Sequence, residues 1–383
     1  MITEYNGVPY CVNRDWLAWS VLTDQAEPEI LCPTNYRLEV CQGNNIFEHR
    51  AILYDGRGGK VLTLLWKPYS AILPSTLMTV QLSNEYLYLP NGQGIKWAES
   101  LLAEIVACQF KAIGRLDVCI DFVAMDKQLQ FIRHLNSNHY YVQRKSEGST
   151  WWHATEKSGY AKQQLHALAW GSKKSDIKVK LYHKSREQGL VGGNEPDKPW
   201  IVEEWKYANF TDITAVWRLE FSLQGVGSLT FDNRSITLAD CADGQWCFDR
   251  LCELYHSRFV CRVNAGKVSG HHNNDPRRYL IELPQRGSGL RWKECGEKDT
   301  PVPPAITLLR SLMRQTDNAT LLASPMLFEH YYSTITRLID SARLEGYFKR
   351  TYNCTPDDYF SELSRSVGSG IRAAAASPRI LQD

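Results

Sequence analysis

Two aspartates, a glutamate, a tyrosine and a run of lysines stand in this sequence at spacings that suit phosphate chemistry. In Arg115-Leu116-Asp117-Val118-Cys119-Ile120-Asp121-Phe122 a strand would put residues 117, 119 and 121 on one face. Carboxylates on one side of an apolar strand need cations, hydrogen-bond donors or water, because an unpartnered buried charge is costly. A divalent metal such as Mg²⁺ or Mn²⁺ suits them, since hard cations take oxygen ligands. A half-exposed strand with Arg or Lys neighbours also satisfies them.

The stretch Val216-Trp217-Arg218-Leu219-Glu220-Phe221-Ser222-Leu223 alternates in the same way. Alone it is an ordinary strand with one wet face. Beside the first, Glu220 becomes a third carboxylate for one ion, and Arg218 either binds phosphate or orients a carboxylate. A third stretch, Ile177 to Lys184, sets Lys178, Lys180, Tyr182 and Lys184 on one side. A phenol with a pKa near 10 is a poor nucleophile at neutral pH. Neighbouring lysines favour the phenolate and bind phosphate, and a metal polarises phosphoryl oxygens. Those are the conditions under which a tyrosine attacks a phosphodiester. Lys173 and Lys174 lie just upstream and extend the basic cluster to Arg186. With a net charge of only +2, a solvated strand face is the plain alternative for that cluster.

These stretches need a sheet to position them. Asp15 to Leu22 predicts an opening strand, and Ala51–Tyr54 and Val61–Trp66 predict two more around the turn Gly56-Arg57-Gly58-Gly59. Met78 to Leu82 alternates as a strand, Trp97 to Phe110 has helical spacing, and Gly114 to Phe122 is again a strand. A helix over Asp126–Leu135 is followed by strands at Tyr140–Gln143, Leu165–Gly171, Ile177–Tyr182 and Val216–Leu223. The pattern is α+β, a mostly antiparallel sheet covered on one face by helices. Past residue 235 come a helix around Trp246–Tyr255, the polar loop Gly270–Pro276 and the stiff Thr300–Pro304 linker. Ala305–Arg314 and Tyr331–Lys349 are helical in pattern, and the Gly, Ser and Ala-rich tail from Val367 reads as disordered.

Taken together, the three charged strands resemble the Rep_trans family of rolling-circle replication initiators of plasmids, filamentous phages and mobile elements. The family's R-L-D-x-x-x-D-F, Y-x-G-x-x-x-S, R-I-Y-x-K and W-R-x-E-x-x-L strands follow in that order. Here they correspond to Arg115–Phe122, Ala169–Ser175, Val179–Lys184 and Trp217–Leu223, with Asp15-Trp16-Leu17 resembling the opening strand. Lys180 replaces a usual arginine, and Trp170 stands where Tyr or Phe is common. The resemblance implies Tyr182 as nucleophile and Asp117, Asp121 and Glu220 as ligands of Mg²⁺ or Mn²⁺. It implies an origin nicked as a cruciform or single strand, a 5′-phosphotyrosine link and a free 3′-OH. Lys178, Lys180, Lys184, Arg218, Lys173 and Lys174 become the phosphate-binding candidates. The expected division is a nicking domain over 1–235, an extension over 236–300 and a helical region over 301–383.

Other classes fit less well. A histidine-pair nickase needs His-x-His on an apolar strand, whereas His271-His272 are adjacent in a polar loop. A conjugative relaxase on the same core, or an inert DNA-binding regulator using Trp151-Trp152 for stacking, are the alternatives. No P-loop occurs, so a separate host helicase and polymerase are expected partners, and a homodimer is allowed. The 11 cysteines contain no C-x-x-C and read as reduced, buried thiols rather than a metal cluster. No apolar run has the roughly 20 residues of a membrane helix, and the first residues carry no signal-peptide pattern. The expectation is a cytoplasmic protein without membrane contact.

Overall fold

The computed structural model describes residues 2–5, 7–70, 73–143, 148–154, 163–171, 175–264, 277–286, 289–292 and 355. It has two compact units, Met1–Lys293 and Glu294–Asp383. Apart from residue 355, the described residues belong to the first unit. The expected helices over 305–314 and 331–349, the tail, the 270–276 loop and the 300–304 linker lie outside the described residues, as do Lys173 and Lys174.

Along the chain run β1 (Ile2–Tyr5), β2 (Val8–Thr23), β3 (Arg37–Gln42), β4 (Phe47–Tyr54), β5 (Lys60–Pro68) and β6 (Leu77–Leu82). Then come α1 (Asn84–Leu87), α2 (Gln93–Ile105), β7 (Cys108–Val123), α3 (Asp126–Asn136), β8 (Tyr140–Val142), β9 (Gly148–Ala154) and β10 (Gln163–Trp170). The next are β11 (Ile177–His183), α4 (Lys184–Glu187), α5 (Pro199–Tyr207), β12 (Val216–Gln224), β13 (Leu229–Phe231) and β14 (Arg234–Ser235). Last are α6 (Leu238–Ala242), α7 (Gly244–Arg258), β15 (Cys261–Val263) and β16 (Leu290–Trp292).

The main sheet has the order β3-β4-β5-β6-β2-β7-β12-β11-β10-β9, with β1 paired to β2. Its pairings are antiparallel, so the expected α+β architecture is the one found. Strand β12 and the second half of β7, Leu116 to Phe122, are buried on both sides. Leu116, Val118, Ile120 and Phe122 alternate with the acidic residues and enter the apolar core with Leu219 and Phe221. α7 packs against β2 and β7. On the face shared by Asn13 and Asp121 lies α5, held by a hydrogen bond from Trp205 Nε1 to Asp121 and by the Asn13–Glu204 contact.

Two expectations change. The helix expected over Trp97–Phe110 ends at Ile105, because Val106 is extended and Cys108–Phe110 pair with Val21–Thr23 of β2. Tyr140–Val142 is a strand but pairs with β15, away from the main sheet. Among the described residues no helix is long and apolar enough to cross a membrane. The described cysteines are free thiols, and Cys11, Cys119, Cys241, Cys247, Cys252 and Cys261 are buried.

A candidate active site on one face of the sheet

Directly paired residues of antiparallel strands point the same way. Asp121, Arg218 and Tyr182 are consecutive partners across β7, β12 and β11, and so are Cys119, Glu220 and Lys180. Asp117, Ser222 and Lys178 make a third row. The tyrosine and the three acidic residues singled out in the sequence therefore share one face.

In the row through Asp121, the Asp121–Arg218 pair is closed. Arg218 is 0% exposed and grips Asp121 through Nε–Oδ1 (2.6 Å) and a second guanidinium contact to Oδ2 (2.7 Å). Trp205 Nε1 donates to the same Oδ2 at 2.8 Å. The rest of the guanidinium donates to Asp15 Oδ1 (2.5 Å) and to the Tyr88 hydroxyl (2.9 Å). Asp15 reaches this position because β2 shifts register between Arg14 and Trp16, leaving residue 15 as the extra residue of a bulge. Burial opposes its charge, yet Arg218, then Lys184 and Lys198, hold its carboxyl well below the usual range.

The row through Glu220 is open to a cavity of about 610 Å³, whose walls include Asp15, Asp117, Lys180, Tyr182, Glu187 and Glu220. Tyr182 Oη donates to Glu220 Oε2 at 3.0 Å, and Lys184 Nζ lies 3.4 Å from the phenol oxygen. Lys180 Nζ and Ser222 Oγ donate to Glu220 Oε1 at 3.1 and 3.2 Å. Burial, then the charge of Glu220, keeps the Tyr182 phenol protonated, with a pKa well above its ordinary value. Arg115 forks onto Asp117 at 3.0 and 2.5 Å and lies over the Trp16 ring, 4.5 Å from its centre. Burial and the neighbouring Glu220 outweigh that fork and raise the Asp117 pKa to about 6.

Three of the residues assigned from sequence are enclosed. Arg218 is paired with the carboxylates of Asp15 and Asp121, the orienting role that the sequence also allowed. Asp121 is 0% exposed, with both oxygens engaged by Arg218 and Trp205. Lys184 is not a strand residue facing DNA. It begins α4, is 0% exposed, and pairs with Glu187 beneath the phenol. Lys180 keeps 42% of its side chain exposed, and Lys178 is half-buried in the Asp117 row.

A divalent cation was expected on Asp117, Asp121 and Glu220. Among the described residues no group of three or more His, Cys, Asp or Glu is arranged for a metal. Asp117 and Glu220 nevertheless fit a Mg²⁺-type ion as a pair. Both border the cavity, they repel each other, and Arg115 and Lys180, their present counter-cations, are partly exposed. Mg²⁺ commonly takes one or two carboxylates and completes its shell with water and substrate phosphate.

No protein-family model and no curated protein matches this chain. Among solved structures it is similar to the rolling circle replication initiator protein from Geobacillus stearothermophilus. The two share 15% identity with a TM-score of 0.42, over 71% of this chain and 93% of that one. At so low an identity, what each side chain can do follows from its own surroundings in this chain.

Sequence reasoning gave Asp15 no role in the site and passed over Glu187, Tyr88 and the whole of α5. Asp15 had a signal, an acid inside an aromatic strand. Tyr88 and Trp205 had none, since only long-range packing brings them to Arg218 and Asp121.

Proposed function

We propose that this chain nicks one strand of DNA at an origin with Tyr182 and starts rolling-circle replication from the 3′-OH it releases. The observation that carries the reading is a tyrosine at a cavity wall with a carboxylate acceptor at 3.0 Å and a buried ammonium at 3.4 Å. A general base and a charge-balancing cation on one phenol are what nucleophilic activation requires.

Glu220 Oε2 takes the phenol proton as Tyr182 Oη attacks the scissile phosphorus. The P–O3′ bond breaks, the 3′ oxygen takes a proton from solvent, and the 5′ phosphate stays on Tyr182. Lys184 and the neighbouring Arg218 balance the phenolate as it forms. Lys180, with 42% of its side chain exposed, turns from Glu220 to a non-bridging oxygen. A Mg²⁺ or Mn²⁺ ion on Asp117 and Glu220 would polarise the phosphoryl oxygens. Reversal by the 3′-OH rejoins the strand without ATP, because the phosphotyrosine ester conserves the energy of the broken bond. Unwinding and copying fall to a separate helicase and polymerase.

The test is a covalent protein–DNA adduct, resolved under denaturing conditions after incubation with Mn²⁺ and supercoiled DNA carrying the replicon's origin. The native chain forms it, and Tyr182→Phe abolishes it while DNA binding persists. An adduct of undiminished yield from the Phe variant would move the nucleophile elsewhere, and none from the native chain would leave an inert DNA binder.

A further inference from the structure

Most of the cations around the cavity are matched. Arg115 is paired with Asp117, Lys180 with Glu220, Lys184 with Glu187, and Arg218 with Asp15 and Asp121. Lys198 lines the cavity without an ion pair among the described residues but lies near the Asp15 carboxylate, whereas Lys60, at the start of β5, has no such neighbour. It lines the cavity, and among the described residues its ammonium makes no hydrogen bond or ion pair. The charge it feels is a like one. Burial, then Arg50, lowers its pKa.

Two further groups on that side lack partners. The register carries the face of Arg115 outward through Ala18, Gln81 and Thr63 to Ile52, and Arg50 shares that face two residues before Ile52 on β4. Gln81 is a wall of the cavity. Thr63 is only 6% exposed, yet its hydroxyl has no hydrogen-bond partner, and the buried Arg50 Nε has none either. Buried polar atoms without partners are uncommon in a folded chain. Here they belong to the sheet face that carries the cavity, and the Arg50 charge acts on Lys60.

We propose that Lys60 and Arg50, with Gln81 and Thr63, form a phosphate subsite that holds the backbone of single-stranded DNA beside the cavity. An anionic oxygen there relieves the repulsion between the two cations. The assignment rests on the nicking reading for its choice of ligand, and it gives the strand a direction. From the phosphate at Tyr182 on β11, the backbone crosses β12, β7 and β2 and runs on over β6 and β5 toward β4.

The experiment measures binding of a fluorescent single-stranded oligothymidylate to full-length Tyr182→Phe protein, so that cleavage plays no part. Lys60→Gln should weaken binding several-fold, Lys60→Glu more, and Arg50→Gln by an amount similar to Lys60→Gln. Each neutralised cation should reduce the slope of log K against log salt by about 0.7. Arg57→Gln, on the exposed turn before β5, is the charge control and should have little effect. The subsite is overturned if Lys60→Gln and Arg50→Gln leave affinity and slope unchanged, or if Arg57→Gln matches them. Lys60 is exposed, so its variants should fold, which thermal melting checks. Failure of adduct formation with intact binding effects would sink the nicking reading and leave the subsite standing.

Discussion

The two ends of the β7–β12 ladder carry similar groups in opposite states. At one end Asp121 and Arg218 are sealed from solvent, and every guanidinium nitrogen is directed at an oxygen. At the other end Asp117 and Glu220 share a cavity wall, repel each other, and are matched by side chains that still reach solvent. Buried charges are stable only when fully partnered, whereas chemistry needs groups whose partners can be exchanged. On the nicking reading, the closed end positions, and the open end supplies the groups that can change partners.

The comparison breaks most readily at Arg218. Arg218→Met leaves Asp121 and Asp15 without their cation and should cost about 3–5 kcal/mol of stability, read by urea unfolding. A loss below about 1 kcal/mol would mean that the closed row is not structural. Glu220→Gln, at the open end, should instead spare folding. The amide removes the base, so adduct formation should slow about 10²- to 10⁴-fold with DNA affinity retained. Equal rates would take the base role from Glu220.

Asp117 gives a pH signature. Its folded pKa of about 6 lies above the ordinary 3.8, so between those values the folded chain holds more protons than the unfolded one. Its contribution to stability is therefore full below about pH 4 and is lost as pH rises through 6, in total about 3 kcal/mol. Asp117→Asn should remove that decline in urea unfolding measured across the window. Added Mg²⁺ should raise the urea midpoint of the native chain above pH 6 and leave the Asn variant unmoved. An identical response in both would end the case for Asp117 as a ligand.

The smallest effect concerns His183, on the other side of β11 from Tyr182. Burial, then Arg186 and His166, lowers its pKa to about 4, and its neutral ring accepts from the Arg186 backbone as the N-cap of α4. As pH falls from 6.5 toward 4 the unfolded chain takes up the proton first, so stability is lost over that window. His183→Asn keeps a capping acceptor and should flatten the loss. If the slope persists, another group titrates there.

Much of the sheet was legible because strand alternation is local. Apolar and polar residues alternate through Arg115–Phe122, Ile177–Lys184 and Val216–Leu223, and the same alternation fixes which side chains share a face. The roles of individual charges were less legible. Arg218 fits a phosphate ligand as well as a carboxylate clamp until Asp15 and Tyr88 arrive from far along the chain. Lys184 continues the strand pattern on paper, yet its backbone turns into α4 and its ammonium is buried.

The sequence by itself determined the strands, their sidedness, and the lysines that share the face of Tyr182 on its own strand. Those follow from a two-residue period, which any short window of the chain reveals. Only the tertiary structure decided which carboxylate is closed and which is open. That choice depends on a one-residue bulge at Asp15 and on Trp205 packing from α5, and contacts between distant segments leave no periodic trace in the residues that make them.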